Sequence, residues 1–277
     1  MGASAAEVAE QVGAAVLLVA RMIDQLPSAF ALPVRHSHLR AYGRSPAHGY
    51  HSRVSEFVPS QAMQLGSWVH GIWSGLGKFV GYPCSQRRGK DFDKFKADNP
   101  DTTILLMADY DAGKRMAEAL DNNADAVRYL TGVKEQTQFF NYNGIDCRAT
   151  PDVRGENWIT ELKTTANADP RFWQWHFRKM SYHVQMVMQA IGCSDNGHNI
   201  DHYMIVAVES KAPYPVTIFE LQERARDEAT RTLMLWSERL KACEQSRQWP
   251  GYSQAIVPLD VPDEDVELIY PDEGDAE

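Results

Sequence analysis

Two acidic residues and one lysine occupy segments whose composition is typical of neighbouring β-strands. Pro151 and Asp152 close one such segment, and Glu161, Leu162 and Lys163 lie on the next. Side chains alternate along a strand, so Glu161 and Lys163 should project from one face, and a short turn should bring Asp152 beside them. Mg²⁺ prefers oxygen ligands and is commonly held by one or two carboxylates together with a substrate phosphate. Asp152 and Glu161, with the Leu162 carbonyl, are therefore candidate ligands for Mg²⁺, for which Mn²⁺ should substitute.

The chemistry that this arrangement could perform is hydrolysis of a phosphodiester. A bound divalent cation polarises a phosphate and lowers the pKa of a bound water. Lys163 would orient that water or help to deprotonate it. A β-hairpin often carries an exposed Glu–Lys pair by chance, however, so these three residues alone do not establish a nuclease.

The surrounding segments predict an α/β fold with a central mixed β-sheet flanked by helices. The strand candidates are Gln136–Tyr142, Ile145–Val153, Trp158–Lys163, Tyr203–Val208 and Val216–Leu221. The helix candidates are Gln61–Phe79, Ala108–Leu120, Ala124–Leu130, Arg171–Ile191 and Gln222–Gln245. Asn143–Gly144 predicts a two-residue hairpin turn. His36–Arg40 and Pro46–His51 indicate a turn-rich entry, and residues 82–100 indicate a basic loop.

Charge and composition bound the class of protein. The 277 residues are 44% hydrophobic, which is enough for one large folded domain with appendages. The formal net charge is -9, and residues 260–277 alone hold nine acidic residues and no Lys or Arg. Such an acidic tail is usually a solvated end, and the alternatives are an electrostatic decoy or a docking strip for a basic partner. No apolar run is long enough for a membrane span, and the four scattered cysteines predict reduced thiols in a cytosolic protein.

Two basic stretches are available to bind the phosphates of DNA. Phosphate contacts supply most non-specific affinity for DNA, so local clusters matter more than the total charge. The predicted DNA-binding residues are Arg87, Arg88, Lys90, Arg171, Arg178 and Lys179. The aromatic residues of the segment FWQWHF could stack on unpaired bases or pack in the core.

Several motifs in order resemble a known family. The stretch CRATPD…ITELKTT, followed by YHVQMVMQA, is similar to the nuclease domain of phage-type exodeoxyribonuclease VIII. That family belongs to the RecB-like branch of PD-(D/E)xK nucleases, and lambda exonuclease is a more distant relative. The resemblance runs from about His36 to Tyr252 and includes HSHLRAYGRSPAH, LGSWVHGIW and WPGY. It implies a restriction-endonuclease-like core in an exonuclease domain at residues 34–255, between an N-terminal helix and linker at 1–33 and the acidic tail at 256–277.

The resemblance assigns roles to the residues of the core motif. It implies that Asp152 and Glu161 are metal-binding acids and that Lys163 is the catalytic lysine. His70 matches a histidine that adds a ligand to the metal site, although a histidine on an apolar helix is more often a core residue. Thr150 stands where the family usually has arginine, which affects phosphate contact or packing but leaves the metal ligands intact.

Three further residues are implied to lie around this core. Tyr182 and Gln185 match the family's Y-x-x-Q helix, and their spacing of three puts both on one helical face. There they could contribute to catalysis by holding Lys163 or a DNA phosphate. Glu135 matches an acid upstream of the first strand, which would reach the metal through water or form a structural salt bridge.

The implied function is a Mg²⁺-dependent exodeoxyribonuclease that degrades double-stranded DNA from its ends. The family resects 5′-to-3′ and leaves a single strand for phage-type recombination, so a single-strand annealing recombinase is an expected partner. Relatives form rings around DNA, which implies a homo-oligomeric trimer or tetramer in the cytoplasm of a bacterial host cell. The alternatives are an endonuclease or single-strand nuclease on the same core, and a non-catalytic DNA-end-binding scaffold.

Overall fold

The computed structural model describes residues 28–253 and 255–259. Within these residues nine α-helices and nine β-strands follow a short 3-10 helix at Ser28–Ala31. The helices are α1 (His36–Arg44), α2 (Pro46–Val54), α3 (Gln61–Ser74), α4 (Lys90–Asp98), α5 (Met107–Asp121), α6 (Ala124–Tyr129), α7 (Pro170–Lys179), α8 (Tyr182–Asp195) and α9 (Glu223–Ser246). The strands are β1 (Phe79–Tyr82), β2 (Thr103–Leu106), β3 (Val133–Lys134), β4 (Gln138–Tyr142), β5 (Ile145–Ala149), β6 (Val153–Arg154), β7 (Trp158–Thr165), β8 (His202–Glu209) and β9 (Val216–Glu220).

The main sheet has the order β3-β6-β7-β8-β9, in which β7 and β8 are parallel and the other neighbours antiparallel. Strand β8 is buried along Met204–Val208, and its apolar run suits a central strand covered on both faces. The helices α7 and α8 form the crossover that two parallel neighbours require. The predicted central mixed sheet flanked by helices is therefore confirmed.

Alternation along β7 distributes its residues between two layers. Ile159 packs with the buried side chains of α8 on one face, whereas Leu162 packs with α3, α5 and α6 on the other. Glu161 and Lys163 follow Ile159 at intervals of two, so they face α8. Helix α8 is itself covered on its far side by α9 and the β4–β5 hairpin. This layering sets polar residues of β7 against one buried helix.

Two smaller sheets flank the main sheet. Strands β1 and β2 form a parallel pair, and β4 and β5 form an antiparallel hairpin. Asn143 and Gly144 make the hairpin turn with φ values of 55° and 79°, which is the left-handed backbone that such a turn requires. The turn predicted at these two residues is confirmed.

The entry segment was wrongly predicted to be turn-rich, because it forms two helices. In α1, Leu39 and Tyr42 are completely buried, so tertiary packing stabilises a helix whose many polar residues obscure its apolar stripe. In α2, Pro46 occupies the first turn and the Ser45 hydroxyl accepts a hydrogen bond from the His48 amide at 3.3 Å.

The segment 82–100 is not a single basic loop. Helix α4 occupies Lys90–Asp98, with Asp91 and Asp93 in its first turn, where acidic groups are favoured by the helix dipole. The flanking parallel strands, each of four residues, are too short for a clear period in the sequence. The helix predicted to reach Phe79 ends at Ser74, because Gly75 adopts a left-handed conformation with φ of 74°.

Two predicted elements are each divided in the structure. The strand predicted at Ile145–Val153 is broken before Asp152, so β5 pairs in the hairpin and β6 in the main sheet. The helix predicted at Arg171–Ile191 is interrupted at Ser181, whose φ is 60°. The new start at Tyr182 turns α8 over β7.

The helix and linker predicted at 1–33 fall mostly outside the described residues, which begin at position 28. Most of the acidic tail predicted at 256–277 also falls outside them, because the described residues end at position 259. In the part of the chain that is described, no helix combines the length and apolar character needed to cross a bilayer.

Candidate active site

The strand pair β6–β7 brings the core motif together. Continuing the register of Val153 with Thr160 places Asp152 opposite Glu161. The Oδ2 atom of Asp152 accepts a hydrogen bond from the Leu162 amide at 2.7 Å, which ties the acid to β7. Asp152 also affects the pKa values of both Glu161 and Lys163, so the three charged groups lie close enough to interact.

One part of the site is a group of three possible metal ligands, His70, Glu135 and Asp152, here called the acid–histidine group. Its ligand atoms all lie within 4.8 Å of one another. The Nδ1 atom of His70 is 3.5 Å from Asp152 Oδ1 and 3.8 Å from Glu135 Oε1. On the other edge of the ring, Nε2 lies 2.9 Å from the Leu162 carbonyl oxygen. The group therefore joins α3, the end of β3 and β7.

The donor set of this group fits a divalent cation. Its two carboxylates and one imidazole are a set that suits Mg²⁺ or Mn²⁺. The pocket that they line measures about 10 Å³, on the order of one water molecule. His70, Glu135 and Asp152 are thus the residues that would hold a metal ion here, whereas ligation by the Leu162 carbonyl, which contacts the other ring nitrogen of His70, stays a prediction.

Without a cation, the charges of the group favour a proton on His70. Burial alone would lower the pKa of His70, but the charge and hydrogen bond of Asp152 and the hydrogen bond of Glu135 together outweigh it and raise that pKa to about 10. Burial alone would raise the pKa of Asp152, but the charge and hydrogen bond of His70, the charge of Lys163 and the Leu162 amide together offset it, so that pKa is lowered. The imidazolium therefore supplies a positive charge where a metal ion would supply it in the holoprotein.

The second part of the site surrounds Lys163 and contains Glu161, Tyr182, Gln185 and Gln189. The Lys163 ammonium donates to Glu161 Oε2 at 2.6 Å and to Gln185 Oε1 at 3.4 Å. It also lies 4.8 Å from the centre of the Tyr182 ring, within the range of a cation–π contact. Gln185 Nε2 donates to the same Glu161 oxygen at 2.8 Å. The Y-x-x-Q residues thus contact Lys163, one of the two positions that the resemblance implied.

The pKa directions make Lys163 a fixed cation. Burial lowers the pKa of Lys163, but the charges of Glu161 and Asp152 outweigh it, so the net shift is upward. Burial, followed by the Asp152 charge, raises the pKa of Glu161, and Lys163 offsets only part of that rise. A protonated Lys163 can orient a water or stabilise negative charge, but it is a poor base in this state.

The Glu161 carboxylate is occupied by hydrogen bonds from three side chains. Lys163 and Gln185 donate to Oε2, and Gln189 donates to Oε1. Glu161 is not one of the three residues of the acid–histidine group, which is defined from the described part of the chain. Ligation of a metal by Glu161 remains a prediction; from the described residues Oε1 accepts only the Gln189 bond, and a carboxylate oxygen has a second lone pair to offer. Gln189 was missed because the recognised motif stops at Gln185, although a spacing of four indicates the same helical face.

Comparison with known proteins gives the family. A profile described as a PDDEXK-like domain of unknown function (DUF3799) matches residues 35–258. The chain belongs to this PDDEXK-like family. The predicted PD-(D/E)xK core is thereby confirmed, and the family supports a nuclease.

A solved structure resembles this PDDEXK-like chain in fold. A provisionally named exonuclease from Eubacterium rectale is 15% identical, with a TM-score of 0.61, covering 82% of this chain and 89% of that one. SSO0001 is 12% identical with a TM-score of only 0.24, covering 62% of this chain and 84% of that one. No curated protein matches the sequence.

The residues predicted to bind DNA lie in varied surroundings on the PDDEXK-like domain. Arg87 donates to the Gln64 side chain at 2.5 Å and to the Ile104 carbonyl at 2.9 Å, so it braces α3 against β2. Arg171 and Arg178 form exposed ion pairs, each of 2.8 Å. The remaining three, Arg88, Lys90 and Lys179, are exposed.

Two polar cavities beside α1 contain arginines that the sequence reasoning missed. One, of about 460 Å³, is lined by Arg35 and Arg148 together with Gln185 and Gln189 of the site. The other, of about 500 Å³, is lined by the basic residues Arg40, Arg44 and Lys179. A spacing of four places Arg40 and Arg44 on the same face of a helix. This was overlooked because the segment was expected to be turn-rich.

Proposed function

We propose that the chain is a Mg²⁺-dependent exodeoxyribonuclease that degrades double-stranded DNA 5′-to-3′ from its ends. The observation that carries the proposal is the convergence of Asp152, Glu161 and Lys163 beside His70 on a PDDEXK-like sheet. Two acids, an imidazole and a buried ammonium form a set that can support metal-assisted phosphodiester hydrolysis.

The chain's own residues would divide the work between the two parts of the site. The acid–histidine group and the Leu162 carbonyl would hold the cation, which supplies Lewis-acid polarisation and a water of lowered pKa. Lys163 would place its charge against the scissile phosphate and orient the attacking water. Tyr182 and Gln185 would keep that ammonium in position, because they contact it from one face of α8. The buried setting strengthens each of these electrostatic contacts.

The finer parts of the proposal rest on the family resemblance. The name of the similar Eubacterium rectale protein supports exonuclease action over endonuclease action. Polarity, a trimeric or tetrameric ring and transfer of the single strand to an annealing recombinase follow the resemblance to exodeoxyribonuclease VIII. A ring would let a domain without a strongly basic charge stay on DNA by enclosure rather than by phosphate contacts alone.

End-labelled linear duplex and covalently closed circular DNA, each incubated with Mg²⁺ or Mn²⁺, test this function. We expect digestion of the linear duplex that begins at the 5′ ends and requires the metal, with closed circles left intact. Cleavage of circles would overturn the exonuclease assignment in favour of an endonuclease. Failure to cleave any DNA with either metal would leave a DNA-end-binding protein and refute hydrolysis.

A further inference from the structure

Gln189 links the two segments that carry the acids of the site. Its side-chain amide nitrogen donates to Glu161 Oε1 and, at 3.3 Å, to the backbone carbonyl of Thr150. Thr150 lies two residues before Asp152, in the stretch where the chain passes from β5 to β6. A single amide group therefore bridges the Glu161 side chain and the backbone that leads into Asp152.

The orientation of this amide follows from its partners. A carboxylate and a carbonyl are both acceptors, so the NH₂ group must face them and the oxygen must face away. Gln189 is only 2% exposed. At such a depth each of these hydrogen bonds replaces water that Glu161 and Thr150 would otherwise need. No charged side chain could do the same, because a carboxylate would repel Glu161 and a second ammonium would compete with Lys163.

The position on α8 explains how this contact is made. Tyr182, Gln185 and Gln189 are spaced by three and four residues, so they line one face of the helix. Tyr182 and Gln185 contact Lys163, whereas Gln189 reaches the other oxygen of Glu161. The helix thus holds both ends of the Glu161–Lys163 pair.

We propose that Gln189 is a positioning residue that fixes the spacing between the Glu161 carboxylate and the Asp152 segment. This inference rests on the proposed nuclease function, but the effect of Gln189 is on the geometry of the site as well as on cleavage. Removing the amide frees Glu161 to rotate and loosens the chain before Asp152. Both the affinity for a divalent ion and the rate of hydrolysis then fall, while DNA affinity is preserved.

The test substitutes Gln189→Met in the full chain, which keeps a side chain of similar length and removes both donors. Partners that orient the groups of a metal site typically contribute roughly tenfold to a hundredfold in affinity or activity. We expect Mn²⁺ affinity, measured by titration calorimetry or electron paramagnetic resonance, to fall by that factor. The kcat on linear duplex should fall similarly, with KM for DNA within about twofold of the parent value.

Two further variants make the result specific. Met188→Leu alters the neighbouring buried residue of α8, which packs in the core away from the site, and should preserve Mn²⁺ affinity. Gln189→Glu keeps the shape but replaces the donors with acceptors, so it should lose at least as much affinity as Gln189→Met. If Gln189→Met does not fold, Gln189→Glu still provides a Mn²⁺ affinity to compare with that of the parent.

The inference is overturned if folded Gln189→Met or Gln189→Glu binds Mn²⁺ like the parent, or if Met188→Leu loses as much affinity as they do. These outcomes are separate from the fate of the proposed function. A parent protein that binds Mn²⁺ but cleaves no DNA refutes the nuclease, and the Mn²⁺ comparison still decides the role of Gln189.

Discussion

Leu162 ties the acid–histidine group to the strand that carries Glu161 and Lys163 through its backbone, although its side chain takes no part in the chemistry. Its amide donates to Asp152 and its carbonyl lies against His70, while its side chain is buried in the core on the opposite face of the sheet. Strand alternation gives its neighbours Glu161 and Lys163 the other face. The core packing of one apolar residue thereby fixes the polar groups on both sides of it.

Lys163→Ala should abolish cleavage while sparing DNA-end binding. The substitution removes the ammonium that faces the scissile phosphate, and loss of a positioned proton-transfer or charge-stabilising group typically costs about 10²–10⁴-fold in rate. Single-turnover digestion and a gel-shift assay on the same duplex would measure the two effects. Lys211→Ala, in the exposed turn between β8 and β9, is the matched control. Cleavage by Lys163→Ala near the parent rate would remove Lys163 from the mechanism.

His70→Ala should weaken metal binding without unfolding the protein. The histidine side chain is 24% exposed and contacts charged groups of the acid–histidine group, so its removal opens that group rather than an apolar core. We expect at least a tenfold loss of Mn²⁺ affinity, by calorimetry, and a melting temperature within a few degrees of the parent. Asp152→Ala should abolish Mn²⁺ binding. A collapsed melting temperature for His70→Ala would instead identify a structural core histidine.

At the scale of elements, the breaks in the predicted elements orient the site. The interruption at Ser181 starts a new helix whose face of Tyr182, Gln185 and Gln189 meets β7. The gap between β5 and β6 frees Asp152 from a regular strand, so its side chain can reach the Leu162 amide. The break at Ser181 precedes Tyr182, and the gap between β5 and β6 contains Asp152. A continuous helix or strand at either place would direct these side chains away from the site.

Gly144→Ala should destabilise the protein by about 1–2 kcal/mol. Gly144 has a φ of 79°, which is costly for a residue with a Cβ atom, whereas no neighbouring atom would meet that Cβ within 4 Å. The cost is therefore conformational and can be read from urea unfolding. Gly251→Ala is the control, because Gly251 has equally open surroundings without a positive φ. Equal stability of both variants would refute the left-handed turn.

The sequence was sufficient for the core motif and insufficient for elements that tertiary contacts decide. The proximity of Asp152 to Glu161 and Lys163 could be predicted because β-strand alternation and a short turn act locally, whereas the roles of these residues rest on the family resemblance. Strand β1 was missed because four residues, FVGY, cannot show a period, and its partner β2 lies far along the chain. The break at Ser181 was missed because nothing local requires a serine to adopt a left-handed conformation; the packing of α7 and α8 requires it.

At the scale of the whole molecule, buried neutral histidines limit stability in acid. Burial, followed by the charge of Arg40, lowers the pKa of His36 to about 3, and burial with Arg35 lowers that of His38 equally. Unfolded histidines titrate near 6.5. As the pH falls below about 6.5, the unfolded chain binds protons that the folded chain does not, so stability decreases continuously toward pH 3.

The expected loss is about 1–2 kcal/mol per histidine between pH 6.5 and 5. Urea midpoints at several pH values would measure it, and the double variant His36→Gln/His38→Gln should flatten the slope. His51→Gln controls for the loss of an exposed imidazole. An unchanged slope in the double variant would show that these two residues do not dominate the acid response.

The most direct test of the metal-assisted nuclease is anomalous diffraction from crystals of the full chain soaked with Mn²⁺ and a short duplex. The site described here predicts a Mn²⁺ peak at coordination distance from Asp152 and the Leu162 carbonyl, beside His70 and within reach of a DNA phosphate. A peak confined to other parts of the surface, or DNA bound with no ion at these residues, would contradict the central claim.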